Sequence, residues 1–227
     1  MRFIKTDLKR IFTEPTFLLS LFLGFLAYFG AFAYLLPTAA REELYTRSQA
    51  LIFPFAAPLL AAMPYSVMIM RERETRFAVM MTVKLRRSSY RFQRFLTCGI
   101  SGAAALFIPQ LALFAVCAAI GGISDFTAAA AGLVLPVTFG FGWAAAAYGL
   151  TFANRQSYVP LVMPQTLYLL CVYAFPHLQL ERFYPPLDIS PAIYGGAVSA
   201  DRFALPAVLT AGAFLLTLFG KEDGYNG

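Results

Sequence analysis

Charged and apolar side chains are interleaved between residues 71 and 94, RERETRFAVMMTVKLRRSSYRFQR, in a pattern suited to binding another protein. This stretch contains eight of the 18 Lys and Arg residues of the chain and two of its Glu residues. Phe77, Met80 and Met81 are three and four residues apart, so in a helix they share one face. Phe and Met side chains can fill a groove in a partner, while surrounding charges set the orientation. The segment predicts either a docking helix or a basic loop whose apolar residues lie on a membrane surface.

Sequence motifs for nucleotide binding and catalysis are absent. No GxxxxGK[ST] loop occurs, and Gly220-Lys221 is followed by Glu222, so we do not expect the chain to bind ATP through a P-loop. The single histidine, His177, belongs to no Cys/His/carboxylate cluster, and HExxH and GxSxG are also missing. A lipid-modifying membrane enzyme would need clustered His, Asp or Ser. We therefore expect no catalytic residues, no metal and no cofactor in this chain.

The composition indicates a membrane protein. Hydrophobic residues make up 59% of the chain and charged residues 13%, whereas soluble domains are about one quarter charged. A membrane span needs about 20 mainly apolar residues. Six stretches reach or approach that length: Thr16–Leu36, Leu51–Met70, Phe95–Ile120, Phe126–Phe152, Tyr158–Phe175 and Phe203–Gly220. We expect an all-α membrane protein, a single transmembrane domain over residues 1–227, with no ionisable side chain inside these spans.

The distribution of Lys and Arg predicts the orientation, because these residues are retained on the cytoplasmic side of membrane proteins. With both termini inside, 14 of the 18 lie in cytoplasmic segments and four lie outside: Arg41, Arg47, Arg182 and Arg202. The net charge of +6 is therefore read as a topology signal and not as a nucleic-acid-binding surface. We expect a multi-pass protein of a bacterial cytoplasmic membrane with both termini in the cytoplasm.

The N-terminus combines four cationic residues with an apolar run of 21 residues. Signal-peptide cores are about 7–15 residues long, so an uncleaved span is favoured over a signal peptide. Within residues 2–12 the apolar side chains fall on one helical face and the basic ones around the other. This pattern predicts an amphipathic helix in the membrane interface. The alternative is a plain helical extension of the first span.

Several features of the spans have two interpretations each. Prolines in the second and fifth spans predict either hinges or a fixed bent shape. The small residues from Gly140 to Gly149 predict a close contact with another helix of the chain or a dimer interface. Gln110 and Gln165 are candidates for the substrate path or for hydrogen bonds between helices. The segment His177–Arg202 is too apolar for a free loop, and we expect short helices that dip back against the spans.

The whole plan resembles that of the ABC type-2 exporter permeases, which have six spans, an amphipathic N-terminus, a basic helical loop and a re-entrant loop before the last span. The most specific likeness runs from RERETRF through LRRSSYRF, and PPLDISPAIY is similar to the family's proline-containing segment before the last span. The resemblance implies a coupling helix that docks in a groove of a separate ATPase. Its implied residues are Glu72 and Glu74 at the head of the helix and Arg76, Phe77, Met80 and Met81 at the contacting turn.

The same resemblance implies a function and a set of partners. The chain would be a permease subunit that pairs in the lipid bilayer with a second permease, as a homodimer or heterodimer. ABC ATPase subunits would hold the ATP and Mg²⁺. The substrate leaving the cell would be a peptide, an antibiotic or a lipid-like molecule. The alternative function is a non-transporting immunity or sensor protein that binds a peptide or lipid.

Overall fold

The computed structural model describes residues 2–74, 87–153, 156, 158–190 and 198–219, without the side chains of residues 2, 3, 70, 73, 74 and 87. Every regular element within these ranges is helical, as the sequence predicts. Four short 3₁₀ turns accompany nine α-helices in the described ranges. In chain order the α-helices are α1 (Arg2–Phe12), α2 (Pro15–Leu35), α3 (Leu44–Ala50), α4 (Phe53–Glu74), α5 (Arg87–Ala119), α6 (Phe126–Gly132), α7 (Val134–Ala153), α8 (Val159–His177) and α9 (Ala204–Phe219).

Five helical stretches are long and apolar enough to cross a membrane. They are Pro15–Leu35, Ser88–Ala119, Phe126–Ala153, Val159–His177 and Ala200–Phe219. A sixth is obtained if Arg41–Ala50 and Phe53–Ile69, which meet at 55°, count as one bent span. The predicted second span, Leu51–Met70, is therefore only part of a broken helix pair. A membrane protein with five or six spanning helices follows from these lengths and compositions.

The helical bundle has two ends, which are formed by different elements. At one, the α1 end, α1 meets the last turn of α4 and the first turns of α5, for example through an ion pair between Arg94 and Asp7. At the other, the turn end, Tyr45 donates its backbone N–H to Gly122 at 3.2 Å. Short 3₁₀ turns lie here, at Arg41–Glu43, Glu181–Phe183, Pro185–Asp188 and Ala200–Phe203. Residues 185–190 are buried, and Pro185–Asp188 packs against α7, α8 and α9.

Helix α7 lies in the middle of the bundle, and its glycines let the neighbouring backbones approach closely. It packs most extensively against α5 and α9. A Cβ atom on Gly140 would lie 2.6 Å from the Gly102 carbonyl oxygen of α5, closer than van der Waals contact permits. On the α9 side, Gly142 faces Pro206 and Gly149 faces Ala213. The small-residue stripe therefore forms contacts within the chain, which is the first of its two predicted interpretations.

Proline-freed carbonyl groups in α4 and α8 are satisfied by serines from adjacent helices. A proline nitrogen carries no hydrogen, so the carbonyl four residues earlier loses its helical donor. Pro64 frees the Leu60 carbonyl, and the Ser20 hydroxyl of α2 donates to that oxygen at 2.7 Å. Pro164 likewise frees the Pro160 carbonyl, whose oxygen lies 3.1 Å from the Ser66 hydroxyl of α4, although this hydroxyl is closer, at 2.7 Å, to the Ala62 carbonyl of its own helix. The Ser20 bond favours a fixed shape over a hinge at Pro64.

A matched pair of glycine substitutions tests the close packing of α5 and α7. Gly140→Ala forces a methyl group against backbone atoms, so we expect it to lower the free energy of unfolding by about 1–3 kcal/mol. Gly30→Ala places its methyl group in open space, and we expect a change within about 0.5 kcal/mol. Thermal unfolding of both variants in the same detergent measures the difference. Equal melting temperatures for the two would contradict a tight α5–α7 contact.

Candidate functional site

The predicted coupling segment is only partly within the described residues. Glu72 and Glu74 lie in the last turn of α4, and Glu72 is described with its side chain. Arg76, Phe77, Met80 and Met81 lie outside the described residues, as does the side chain of Glu74. What the structure describes is the pair of helix ends between which residues 75–86 run. These two ends meet in a buried network of charges.

The network is centred on Arg94 in the third turn of α5. Its side chain is buried, with a relative exposure of 1%. Nη2 donates to Glu72 Oε1 at 2.6 Å, and Nη1 donates to Asp7 Oδ1 at 2.7 Å. One guanidinium therefore joins α5 to the last turn of α4 and to the middle of α1. A planar guanidinium suits this task, because its five donors are fixed in a fork that can serve two carboxylates at once.

Helix α1 makes further polar contacts that fix its position in the network. The second carboxylate oxygen of Asp7 accepts a hydrogen bond from the Thr97 hydroxyl at 2.8 Å. Arg10 donates to Glu72 Oε1, also at 2.8 Å. Asp7 is itself 4% exposed, and Ile11, one turn further along the same face, is fully buried. One side of this amphipathic helix thus packs against protein, while Phe12, Lys5 and Lys9 remain exposed.

Aromatic rings surround the charged groups and exclude water from them. The Arg94 guanidinium carbon lies 5.3 Å from the centre of the Tyr90 ring and 5.7 Å from that of Tyr65. The Tyr90 hydroxyl oxygen also accepts from Arg94 Nε at 3.2 Å. Burial raises the pKa of Glu72 above its ordinary value, although Arg94 and then Arg10 oppose the shift. Glu72 therefore depends on these two cations to remain ionised in a buried site.

A second arginine of α5, Arg91, connects the same helix to the far side of the bundle. Its Nη1 donates to the Thr217 carbonyl in the last turn of α9 at 3.1 Å. Its guanidinium carbon also lies 4.8 Å from the centre of the Phe152 ring in α7. The beginning of α5 thus contacts α1, α4, α7 and α9. Both arginines precede the predicted third span, Phe95–Ile120, because α5 begins at Arg87 and is longer than that span at its start.

Gln110 and Gln165, the two candidates for the substrate path, both bond to other helices. Gln110 is buried, accepts from the Tyr28 hydroxyl at 2.9 Å, and lies 3.5 Å from that of Tyr45. Gln165 of α8 donates to the Phe55 carbonyl at 2.8 Å and accepts from the Leu59 N–H at 3.2 Å. Those two backbone groups are four residues apart in α4, next to Pro58. Both glutamines therefore link helices in the described structure, and contact with a substrate stays a prediction.

The α1 end consists of contacts that hold helices together. Its charges are paired with one another, and no group of three or more Cys, His, Asp or Glu side chains suited to a metal is found among the residues described. Sequence reasoning identified Glu72 but missed Asp7 and Arg94. A local signal for Asp7 existed, because it shares a helical face with Ile4, Leu8 and Ile11. An acidic residue on the apolar face of a basic helix indicates a buried partner.

Comparison of the chain with protein-family models, with curated proteins and with solved structures gives no match.

Removing the central guanidinium tests the network. Arg94→Met leaves Asp7 and Glu72 buried without their main partner, and we expect the free energy of unfolding to fall by about 3–5 kcal/mol. Arg71→Met is the matched control, because Arg71 pairs with Glu14 at a site where 60% of the arginine side chain is exposed. Loss of such a surface pair is expected to cost about 0–1 kcal/mol.

A compensated variant separates charge burial from shape. Combining Arg94→Met with Asp7→Asn and Glu72→Gln removes all three buried charges, so we expect most of the lost stability to return. Unfolding in detergent, followed by the loss of helical circular dichroism, measures all variants. If Arg94→Met unfolds like Arg71→Met, the network does not hold the α1 end together.

Proposed function

We propose that this chain is the transmembrane subunit of an ATP-driven ABC exporter. The observation that supports this most directly is the buried contact between the two helix ends that flank residues 75–86. Glu72, before the segment, and Arg94, after it, share an ion pair at 2.6 Å, and both also bind α1. A force applied to the segment would therefore act on α1, α4 and α5 together. A loop that serves only as a topology signal would need no such buried contact between the helices on either side of it.

The charge and side-chain pattern of the segment suits a soluble partner. Residues 71–94 carry eight Lys and Arg, and the six other than the buried Arg91 and Arg94 would steer an acidic groove toward the membrane. Phe77, Met80 and Met81 would then fill that groove, with Glu74 and Arg76 setting the register. In this proposal Glu72 acts differently from the other five residues, because its carboxylate faces into the permease. It would transmit movement of the docked segment and not contact the ATPase.

The continuity of α5 supports the same role. This helix runs from Arg87 to Ala119 over 33 residues, with Pro109 inside it, and at 1.5 Å per residue it is roughly 50 Å long. It thus extends from the end of the segment through the bundle to the turn end. Because it contacts α7 through glycines and α9 through Arg91, a tilt of α5 would move the other helices with it. Such a helix can carry motion from an ATPase to the outer side of the membrane.

We further propose an orientation and assembly. The α1 end lies in the cytoplasm, together with both termini, because 14 of the 18 Lys and Arg belong to segments on that side. The turn end, including His177–Arg202, lies outside the cytoplasmic membrane, with α1 in the inner membrane interface. A second permease completes the translocation path, and separate ABC ATPases bind ATP and Mg²⁺. A peptide, an antibiotic or a lipid-like molecule is the exported substrate.

Cysteine labelling in intact cells tests the orientation. A single cysteine at Gln179 or Ser199 should react with a membrane-impermeant maleimide, because both positions belong to the turn end. A cysteine at Ser88, which is exposed at the α1 end, should react only after lysis. The native Cys98, Cys117 and Cys171 are buried and give a low background. Labelling of Ser88→Cys, but not of Gln179→Cys, in intact cells would reverse the orientation.

Two charges placed on the proposed docking face test the coupling role. In the double variant Phe77→Asp and Met80→Asp, each carboxylate would enter an apolar groove, at a cost of several kcal/mol if it stays buried. We expect the variant to reach the membrane normally and to lose a co-expressed ABC ATPase during purification, together with transport in cells.

The matched control introduces the same two charges nearby, as Ser88→Asp and Ser89→Asp, on exposed side chains at the beginning of α5. Carboxylates near a helix N-terminus are favourable, so this control should retain the ATPase. If the docking-face variant keeps the ATPase and transports at the parental rate, residues 75–86 are only a topology signal. Ligand binding by the parental chain without any ATPase stimulation would favour the immunity or sensor alternative.

A further inference from the structure

A second group of buried polar side chains lies at the turn end, far from the Arg94 network. Asp188 ends the Pro185–Asp188 turn and is 1% exposed, and neither of its carboxylate oxygens has a hydrogen-bond partner among the described residues. The hydroxyl of Tyr168 in α8 and the indole N–H of Trp143 in α7 are also buried without a hydrogen-bond partner among the described residues. Native proteins leave few buried polar atoms unsatisfied. Several in one place point to a bound ligand.

These groups share one neighbourhood. The turn packs against α7, α8 and α9, and Tyr168 interacts electrostatically with Asp188 and Tyr184. The Trp143 and Tyr168 rings are in edge-to-face contact, with centroids 5.6 Å apart. On the side of α3, Ser190 lies 3.4 Å from Gln49, whose amide nitrogen is buried without a partner. The unpartnered groups therefore belong to elements that pack together at the turn end: the Pro185–Asp188 turn, α7, α8 and, through Ser190, α3.

Charged groups around Asp188 are few. The cation that favours the ionised form of Asp188 is that of Arg202; no hydrogen bond or ion pair joins the two side chains, and Arg202 Nε is also buried without a hydrogen-bond partner among the described residues. Arg202 instead donates Nη1 to the Arg182 carbonyl at 3.0 Å. Arg182 in turn pairs with Asp201 at 2.6 Å. Helix α9 has no titratable residue, and the only titratable residue of α7 is Tyr148, which packs on Tyr65.

We propose that Asp188 and Tyr168 form a binding site for a small monovalent cation, an alkali ion such as Na⁺, at the turn end of the bundle. An ionised carboxylate is stable in a buried site only when it is paired or binds a metal ion. Hard cations take oxygen ligands, and the Asp188 oxygens with the Tyr168 hydroxyl supply them. Because Arg202 already places a positive charge near Asp188, a monovalent ion adds less excess charge to the site than a divalent ion would. Waters carried by the cation would accept from Trp143 and Gln49.

The competing occupant is a proton on Asp188. Burial raises the pKa of this carboxyl group to about 8, with Arg202 opposing the shift. A proton would neutralise Asp188 but would leave the Tyr168 hydroxyl, the Trp143 indole and the Gln49 amide without partners. A hydrated cation serves all of them together. The two occupants also predict opposite behaviour at alkaline pH, where a proton leaves the site and a cation binds more tightly.

Equilibrium binding of radioactive sodium to the purified protein, at alkaline pH and constant ionic strength in choline chloride, tests the proposal. We expect saturable binding that unlabelled NaCl displaces and that choline, which is too large for the site, does not. KCl in place of NaCl measures selectivity among alkali ions. Asp188→Asn should abolish binding, and Tyr168→Phe, which removes only the hydroxyl group, should weaken it. Asp125→Asn, the same substitution at an exposed site, should leave binding unchanged.

Any of the following outcomes would overturn the cation site. Sodium binding that persists in Asp188→Asn, or that is lost equally in Asp125→Asn, places it elsewhere or makes it non-specific. Absence of binding to the parental protein, which needs no variant to fold, does the same.

A proton site has its own signature in thermal unfolding. A carboxyl group whose folded pKa is raised from 3.8 to about 8 stabilises the folded state most below its ordinary pKa and loses that contribution as pH rises toward 8. Stability that falls over this range, and does so only while Asp188 is present, would assign the site to a proton and not to a cation.

Discussion

The guanidinium of Arg94 is the group on which the α1 end of the bundle depends. A cation with 1% exposure has lost its water, and this loss is tolerated only when carboxylates and hydrogen bonds replace the hydration. Here the replacement comes from two other helices, with Asp7 on α1 and Glu72 on α4. Each helix must present its residue in register for the charges to balance. One interaction therefore fixes the relative position of three helices.

The sequence was sufficient for the helical class and for most span boundaries, because apolar runs of about 20 residues depend only on local composition. It could not predict the full length of α5. An apolar run ends at Arg94, whereas the helix continues back to Arg87, since its arginines find partners on α1, α4 and α9. The break near Leu51 that bends the second span was missed as well, because contacts with other helices cannot be read from local composition. Asp188 was likewise missed, because burial of a loop carboxylate is decided by the helices that cover it.

Buried polar groups at the two ends of the bundle differ in their hydrogen-bond partners. At the α1 end and along the spans, the described polar groups bond mainly to one another: arginines to carboxylates, and serines to the carbonyls that prolines free. These bonds join helices of the chain to one another and favour one rigid arrangement. At the turn end, Asp188, Tyr168 and Trp143 have no such partners within the described residues. The α1 end is thus held together by bonds within the chain, whereas the turn end leaves buried polar groups for the cation proposed above.

The ion pair between Asp7 and Arg94 also has a consequence for biosynthesis. The two residues are 87 positions apart, and chains are made at about 5–20 residues per second, so Arg94 is added roughly 4–17 seconds after Asp7. During that interval α1 and α2 have been made, while the carboxylate has no guanidinium to bind. The amphipathic α1 must therefore wait in contact with water, lipid head groups or the insertion machinery. Its final docking closes the α1 end only after the first part of α5 has been made.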